Sequence, residues 1–318
     1  MLDHEFILDA EGRRKLAGRF GPAGEAWGDE LPGLVESYCR RWSLTLDQAV
    51  SGGTARVYLG RQPGGRPVVL KLTPDAGIAA DEAVALRAWA GTRQAVGLLE
   101  ADLGDGALLL EAVRPGTKVS DWPALPPLAD VAGLLTALRQ VPGPDAGGRA
   151  AAPGAGPLTA PGLGSLPSMA EGMAVMFDRT ARRRADPRVA GLVPPGLVDR
   201  AQRLALALAA DGPGGLVHGD LHPANVLDGG PGRGLVAIDP RPSVGDPDWD
   251  AVDWAMTRAA SRAEMQDRIA QLARLVPGLD AGRVWGWCRA AAVVLAVGRL
   301  RQRPPDDAAG LLLDLAAG

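Results

Sequence analysis

Cysteine, histidine and aromatic side chains are scarce in this chain, whose 318 residues hold two cysteines, three histidines and 4% aromatics. Cys39 and Cys288 cannot build a disulfide framework and neither lies in a C-x-x-C pair, so a reducing cytoplasm is the expected setting and buried apolar packing their expected role. Charge of one sign is also missing. Against 34 basic residues stand 37 acidic ones, a net charge of −3, which is too weak a positive field for phosphate-backbone binding and disfavours nucleic acid as a partner. Long apolar runs are absent: the longest, Ala290 to Val297, covers eight residues, where a bilayer-spanning helix needs about 20. The first twenty residues lack the apolar stretch of a signal peptide, so a soluble protein with no membrane partner is expected. Glycine and proline, by contrast, number 43 and 27, and a glycine is therefore informative only inside a pattern.

Patterns change along the chain. Apolar residues at Leu34, Val35, Tyr38 and Trp42 predict an amphipathic helix over 31–42. Three short β-runs follow, at 46–51, 55–62 and 66–72, with Gly52-Gly53-Thr54 and Pro63-Gly64-Gly65 as turns. Helical spacing returns at 78–90, and two more β-runs, 96–103 and 107–113, are joined by Gly104-Asp105-Gly106. Residues 142–167 are dominated by Gly, Ala and Pro and predict a long mobile connection, a candidate lid over substrate. Beyond it, helices are expected at 169–184, 196–210, 247–260, 263–275, 280–300 and 305–316, with a small hairpin within 216–240. These textures predict an α+β chain of two lobes: a small β-rich N-terminal lobe, 1–113, and a larger helical C-terminal lobe, 114–318, with ligand expected in the cleft between them.

The most informative segment is His218-Gly219-Asp220-Leu221-His222-Pro223-Ala224-Asn225, followed fourteen residues later by Asp239 at the end of an apolar run. Four residues separate Asp220 from Asn225, the spacing at which a kinase catalytic loop sets a carboxylate at the acceptor hydroxyl and an amide oxygen on Mg²⁺. Mg²⁺ takes hard oxygen ligands, and Asp239 supplies the second. Upstream, Lys71 ends the third β-run; alternation is read as turning it away from Val69 toward a cleft, where it would meet nucleotide phosphates. Glu82, eleven residues on, falls on the next helix as its partner. Ser51, Gly52 and Gly53 offer backbone N–H groups to phosphate oxygens, and Glu111, Ala112 and Val113 offer backbone edges to an adenine.

In this order, the glycine turn, lysine strand, glutamate helix, hinge strand, HGDLHPAN and IDP resemble the aminoglycoside phosphotransferases. The most similar branch is that of the streptomycin 6-kinases and hydroxyurea phosphotransferases. The resemblance implies a bilobal protein-kinase-like fold, with ATP and Mg²⁺ as cofactors and a small cationic hydroxyl compound as acceptor, the activity conferring antibiotic resistance. It assigns Asp220 as the catalytic carboxylate and Asn225 and Asp239 as metal ligands. Lys71 becomes the α- and β-phosphate contact, Glu82 its ion-pair partner, 111–113 the adenine hinge and His218 a structural residue. HGDLHPAN in place of H-R-D-L, and IDP in place of D-F-G, favour a small-molecule acceptor over a protein. A kinase for another metabolite or for hydroxyurea, or a nucleotide-binding pseudokinase sensor, are the alternative readings.

Four aspartates crowd GDPDWDAVDW. Asp246, Asp248 and Asp253, with Trp249, are the candidate contacts for a polycationic sugar; Asp246 and Asp248 also suit a helix N-terminus, and Asp250 is read as bracing the catalytic segment. The blander alternatives are turn and cap roles for Asp220 and Asn225, a solvated edge lysine at Lys71, a solvated acid at Glu82 and a surface arginine at Arg56. A zinc pair of His218 and His222 is opposed by Gly219 and Pro223, which disfavour the helix it needs. Trp285 and Trp287 are expected in the core.

Overall fold

Alternating residues between 45 and 72 form three strands, β1 (Thr45–Ser51), β2 (Arg56–Arg61) and β3 (Pro67–Leu72), and two more follow as β4 (Leu98–Asp102) and β5 (Ala107–Glu111). They make one antiparallel sheet in the order β1-β2-β3-β5-β4. The computed structural model describes residues 8, 10–51, 55–141 and 162–318. Its chain divides into two units, one of Met1–Ala90 with Ala95–Gly116, the other of Gly91–Gln94 with Thr117–Gly318. Gly52 and Gly53 lie outside the described residues, as does 142–161 of the expected connection; Ser51 is the last residue of β1.

In the first unit, α1 (Ala10–Phe20) and α2 (Pro22–Arg41) share a core with the sheet. The helix expected over 31–42 is the second half of α2, and α1 had no place in the sequence reading. Leu31, Val35 and Tyr38 of α2 meet Tyr58 of β2 and Val68, Leu70 and Leu72 of β3. This corrects the expected alternation: Lys71 shares strand parity with Val69, so both sit on the face opposite that core. Helix α3 (Ala76–Ala88) starts where Asp75 Oδ1 accepts the N–H groups of Gly77 and Ile78, at 3.0 and 3.2 Å.

The second unit is mostly helical: α4 (Leu128–Leu138), α5 (Met169–Arg184), α6 (Leu197–Ala210), α7 (Val252–Met256), α8 (Arg262–Leu275), α9 (Ala281–Gln302) and α10 (Asp307–Ala317). Ser168 and Glu171 form a reciprocal capping box that starts α5. Helix α9 is the hub, packing against α5, α6, α7, α8 and α10; its Trp287 is fully buried whereas Trp285 is only half-buried, so one of the two expected core tryptophans is core. Two short ribbons interrupt the helices. One pairs β6 (Gly215–Val217) with β9 (Ser243–Gly245), the other β7 (Val226–Asp228) with β8 (Leu235–Ala237). The expected single hairpin over 216–240 is therefore β7–β8 alone, because Leu216 and Val217 pair beyond it. The helix expected over 247–260 is a 3₁₀ turn at Pro247–Ala251 and then the short α7. No described helix is long and apolar enough to cross a membrane.

Leu70 is 1% exposed at the centre of the first core. Leu70→Ala is expected to cost about 2–5 kcal/mol, read as a lowered denaturation midpoint in urea; a loss near zero would show that this face is not the core.

Candidate active site

In the first unit, Lys71 Nζ and a carboxylate oxygen of Glu82 lie 2.5 Å apart, and both side chains are almost wholly buried. Sheet register puts the lysine at the carboxyl end of β3 and the second turn of α3 brings up the acid, so the solvated-face alternative for Glu82 fails. Arg56 is 5% exposed, with its guanidinium 5.7 Å from the Tyr58 ring centroid, and is not a surface arginine. Glu111 accepts the Gly97 N–H at Oε1, 2.7 Å, and donates its own N–H to Gly97 O, 2.9 Å. Its N–H is thus committed inside the unit, and the remaining N–H donors of the expected hinge are those of Ala112 and Val113.

In the second unit, β7–β8 pairing draws the 218–225 segment and Asp239 together. Val226 pairs with Ala237, and Ile238 N–H donates to Asn225 O at 2.9 Å, which sets Asp239 one residue beyond Asn225 across the ribbon. Asn225 Nδ2 donates to both the backbone oxygen and Oδ2 of Asp220, at 3.0 and 3.1 Å. That fixes the amide by its Nδ2, and Oδ1 is its acceptor atom. Asp239 has φ 54°, a left-handed backbone that costs a non-glycine residue about 1–3 kcal/mol and is held only where its surroundings dictate it. Burial raises the Asp220 carboxyl above the usual carboxylate range; His222 opposes the shift and Asp239 adds to it. His222 Nε2 is 3.6 Å from Asp220 Oδ1.

The loop that carries Asp220 is held from below. Asp250 Oδ2 and Oδ1 accept the N–H groups of His218 and Gly219, at 2.8 and 2.9 Å, the bracing role its position suggested. Burial pushes this carboxyl up to about 7, with the two N–H groups opposing. His218 is fully buried: its Nε2 meets Ile238 O at 3.1 Å and its Nδ1 accepts the Asp220 N–H at 3.4 Å. This ring ties the loop to the Asp239 strand and is structural. Among the described residues no group of three or more His, Cys, Asp or Glu is placed to hold a metal ion, so a His218–His222 zinc pair finds no third ligand.

Two of the proposed sugar contacts need correction. Asp246 is fully buried; its Oδ2 accepts Arg283 Nε at 2.8 Å and Trp287 Nε1 at 2.7 Å. Asp248 is 2% exposed, paired with Arg139 at 2.7 Å and with the Asp280 N–H at 3.2 Å. A carboxylate removed from water is stable only with such partners, and these two have spent their oxygens inside the unit. Trp249 also faces inward: Nε1 donates to Gly219 O at 3.2 Å and the ring meets Trp287 edge-on at 5.3 Å. Of the four aspartates only Asp253 stays half-buried; burial pushes it up to about 6, with His222 opposing and Asp220 adding. Arg139, Arg283 and Trp287 escaped the sequence reading as partners of these acids because they lie 30 or more residues away, with no local signal.

Gly219 has φ +81°, and a Cβ there would lie 2.1 Å from Arg241 O. Gly219→Ala must displace the loop, and kcat is expected to fall by about 10²-fold, the usual effect of a misplacement near 1 Å; wild-type kinetics in this variant would refute the loop geometry. Asp253 has a distinct pH signature. Its folded pKa of about 6 lies above the ordinary value near ~3.9, so between the two the native state holds a proton that the unfolded chain has lost. Native stability from this residue therefore falls as pH rises through that window. Asp253→Asn should flatten Tm against pH between about 4 and 6, and an unchanged slope would contradict the assignment.

The family model described as aminoglycoside/hydroxyurea antibiotic resistance kinase matches residues 41–302. A hydroxyurea phosphotransferase of Kitasatospora aureofaciens is 35% identical over 272 residues, 84% of this chain and 72% of that protein. A streptomycin 6-kinase of Streptomyces glaucescens is 32% identical over 278 residues, 84% of this chain and 82% of that one. Among solved structures, a thermostable aminoglycoside phosphotransferase APH(4)-Ia in ternary complex with ADP and hygromycin B superposes with a TM-score of 0.54 at 20% identity, covering 89% of this chain and 98% of the other. With its five-stranded sheet, helical second unit and loop-borne carboxylate, this chain has the protein-kinase-like fold and belongs to the aminoglycoside/hydroxyurea antibiotic resistance kinases, phosphotransferases that act on small molecules.

Proposed function

We propose that the chain is an ATP-dependent O-phosphotransferase of the resistance type, working in the cytoplasm and carrying the γ-phosphoryl group to a hydroxyl of a small molecule. One observation carries this reading: Asn225 is hydrogen-bonded to Asp220, and the β7–β8 ribbon sets Asp239 beside it, all on a loop braced by Asp250. Asp220 orients the acceptor hydroxyl and takes its proton as the oxygen bonds to the γ-phosphorus; the bond to the β,γ-bridging oxygen breaks and its electron pair leaves with ADP. The raised pKa of Asp220 suits a group that must accept a proton near neutral pH. Lys71, fixed in direction by Glu82, contacts the α- and β-phosphates, and the 111–113 segment receives the adenine; Ser51, Gly52 and Gly53 stay the candidates the sequence offers for the phosphates.

The donors present suit Mg²⁺. Asn225 Oδ1 and the Asp239 carboxylate are hard oxygen ligands, and a metal shared with phosphate oxygens needs only one or two from the protein. When bound, Mg²⁺ neutralises charge developing on the phosphates. The names of the relatives put forward two acceptors, streptomycin and hydroxyurea. The aminocyclitol reading now rests on those names, since the inward turn of Asp246 and Asp248 removes the acidic surface that favoured a polycation. A pseudokinase reading is opposed by the lysine, its acid, the carboxylate and both metal-ligand positions standing together in one chain.

Asp220→Ala is expected to lower phosphoryl transfer by about 10²–10⁴-fold while Mg·ATP still raises Tm. The check is mass spectrometry of acceptors incubated with Mg·ATP and either form of the enzyme. Equal product from both forms would remove Asp220 from the reaction.

A further inference from the structure

Arg241 stands two residues beyond Asp239 and belongs neither to the buried core nor to the metal-ligand pair. Its backbone is fixed against the loop that carries Asp220. The β6–β9 register pairs Val217 with Ser243, and just beyond that pair the Arg241 N–H donates to His218 O at 2.8 Å. Gly219, the residue before Asp220, has no side chain to hold this strand off: a Cβ there would lie 2.1 Å from Arg241 O and 3.6 Å from Arg241 Cβ. The arginine is thereby rooted beside the residue that precedes Asp220. Its guanidinium reaches toward Asp239, with Nη2 4.0 Å from Oδ1, and the two side chains keep 26% and 35% of their surface in water.

At 4.0 Å the contact is electrostatic and too long for a hydrogen bond, and a partly exposed ion pair of this kind adds little to stability. Its place in the chemistry is a different matter. Asp220 and Asp239 are two carboxylates at a site that has to take in a phosphate chain of the same sign. Of the side chains whose charge bears on Asp220, namely His222, Asp239 and Arg241, the arginine is the permanent cation. A metal shared by Asp239 and a nucleotide brings phosphate oxygens to the very carboxylate beside which this guanidinium lies. A planar guanidinium matches such oxygens bidentately, as an ammonium cannot.

We propose that Arg241 is a further catalytic residue, whose guanidinium bonds the oxygens of the phosphoryl group as it passes from nucleotide to acceptor. This rests on the kinase reading and adds a residue to it. In the transfer the acceptor oxygen bonds to the γ-phosphorus, and its proton goes to Asp220. The bond from phosphorus to the β,γ-bridging oxygen breaks, with its electron pair leaving on ADP. Arg241 keeps its protons throughout. It answers the charge spread over the equatorial oxygens of the phosphoryl group, and donors aimed there act on the transition state more than on bound ATP.

The test compares wild type with Arg241→Ala and Arg241→Lys, following transfer from Mg·ATP labelled at the γ-phosphate to streptomycin, hydroxyurea or water. Arg241→Ala should lower kcat by about 10²–10³-fold, the usual cost of removing one such donor, with KM for Mg·ATP and Tm near wild type. Arg241→Lys, which keeps the charge and loses the fork, should fall between. A second readout needs no turnover: aluminium fluoride added to Mg·ADP mimics the group in flight. It should raise Tm beyond Mg·ADP alone in wild type but not in Arg241→Ala. Should the alanine variant fold poorly, Arg241→Gln repeats both measurements. Undiminished kcat, or a raised KM with kcat unchanged, would overturn the inference and leave the kinase reading standing. So would a loss of kcat with the fluoroaluminate shift intact, the mark of an arginine that props the loop without touching the phosphoryl group. A wild type that transfers to none of the acceptors, water included, while Mg·ADP still raises Tm, would remove the kinase reading and the inference with it.

Discussion

Both oxygens of the Asp250 carboxylate receive backbone N–H groups of the loop that carries Asp220, and much else in the second unit serves to keep that carboxylate in place. Asp250 sits in the 3₁₀ turn that begins at Asp246, whose side chain accepts the Asp248 N–H at 3.0 Å. Asp246 in turn is locked by Arg283 and Trp287, and Asp248 by Arg139 and Asp280. Three buried aspartates in five residues would be untenable as bare charges. Each is instead supplied with N–H donors, and the result is a rigid plinth beneath a loop whose glycine has a left-handed backbone and a carbonyl 2.1 Å from where a Cβ would stand. The tertiary partners of the acids thus hold an otherwise strained loop in one conformation.

The first unit solves a different problem with similar means. A lysine and a glutamate are removed from water together, at 2.5 Å, and breaking such a pair leaves the survivor uncompensated at a cost of about 3–5 kcal/mol. A sheet whose other face is filled by Leu70, Tyr58 and the α2 side chains gives the lysine a fixed base. A long, flexible side chain is thereby reduced to one direction.

A cleft beside α7 is built from other material. The acids near α7 are mostly internal, and the surface beyond them is lined by methionine, leucine and two arginines. Membership of the aminoglycoside/hydroxyurea kinases therefore fixes the type of chemistry without fixing what enters. The loop that carries Asp220 depends on backbone and carboxylate contacts shared along one ribbon. The cleft depends on side chains from four helices, three of them in the last sixty residues of the chain, and these can change independently of the loop.

The sequence by itself determined the order of parts. Spacing within HGDLHPAN and IDP is local, the β-runs alternate, and helices announce themselves by period and caps, so the sheet, α3, most later helices and the roles of His218 and Asp250 were legible. It also misled where the signal was local but the outcome was not. Helices α1 and α4 went unread, strand parity at Lys71 was misassigned, and GDPDWDAVDW read as an acidic surface. Only the tertiary structure decided which of those aspartates meet water, because the deciding partners, Arg139, Arg283 and Trp287, arrive from distant helices. A carboxylate's fate depends on whether its desolvation is compensated by such a partner, and a chain read residue by residue holds no record of who will be adjacent once it folds.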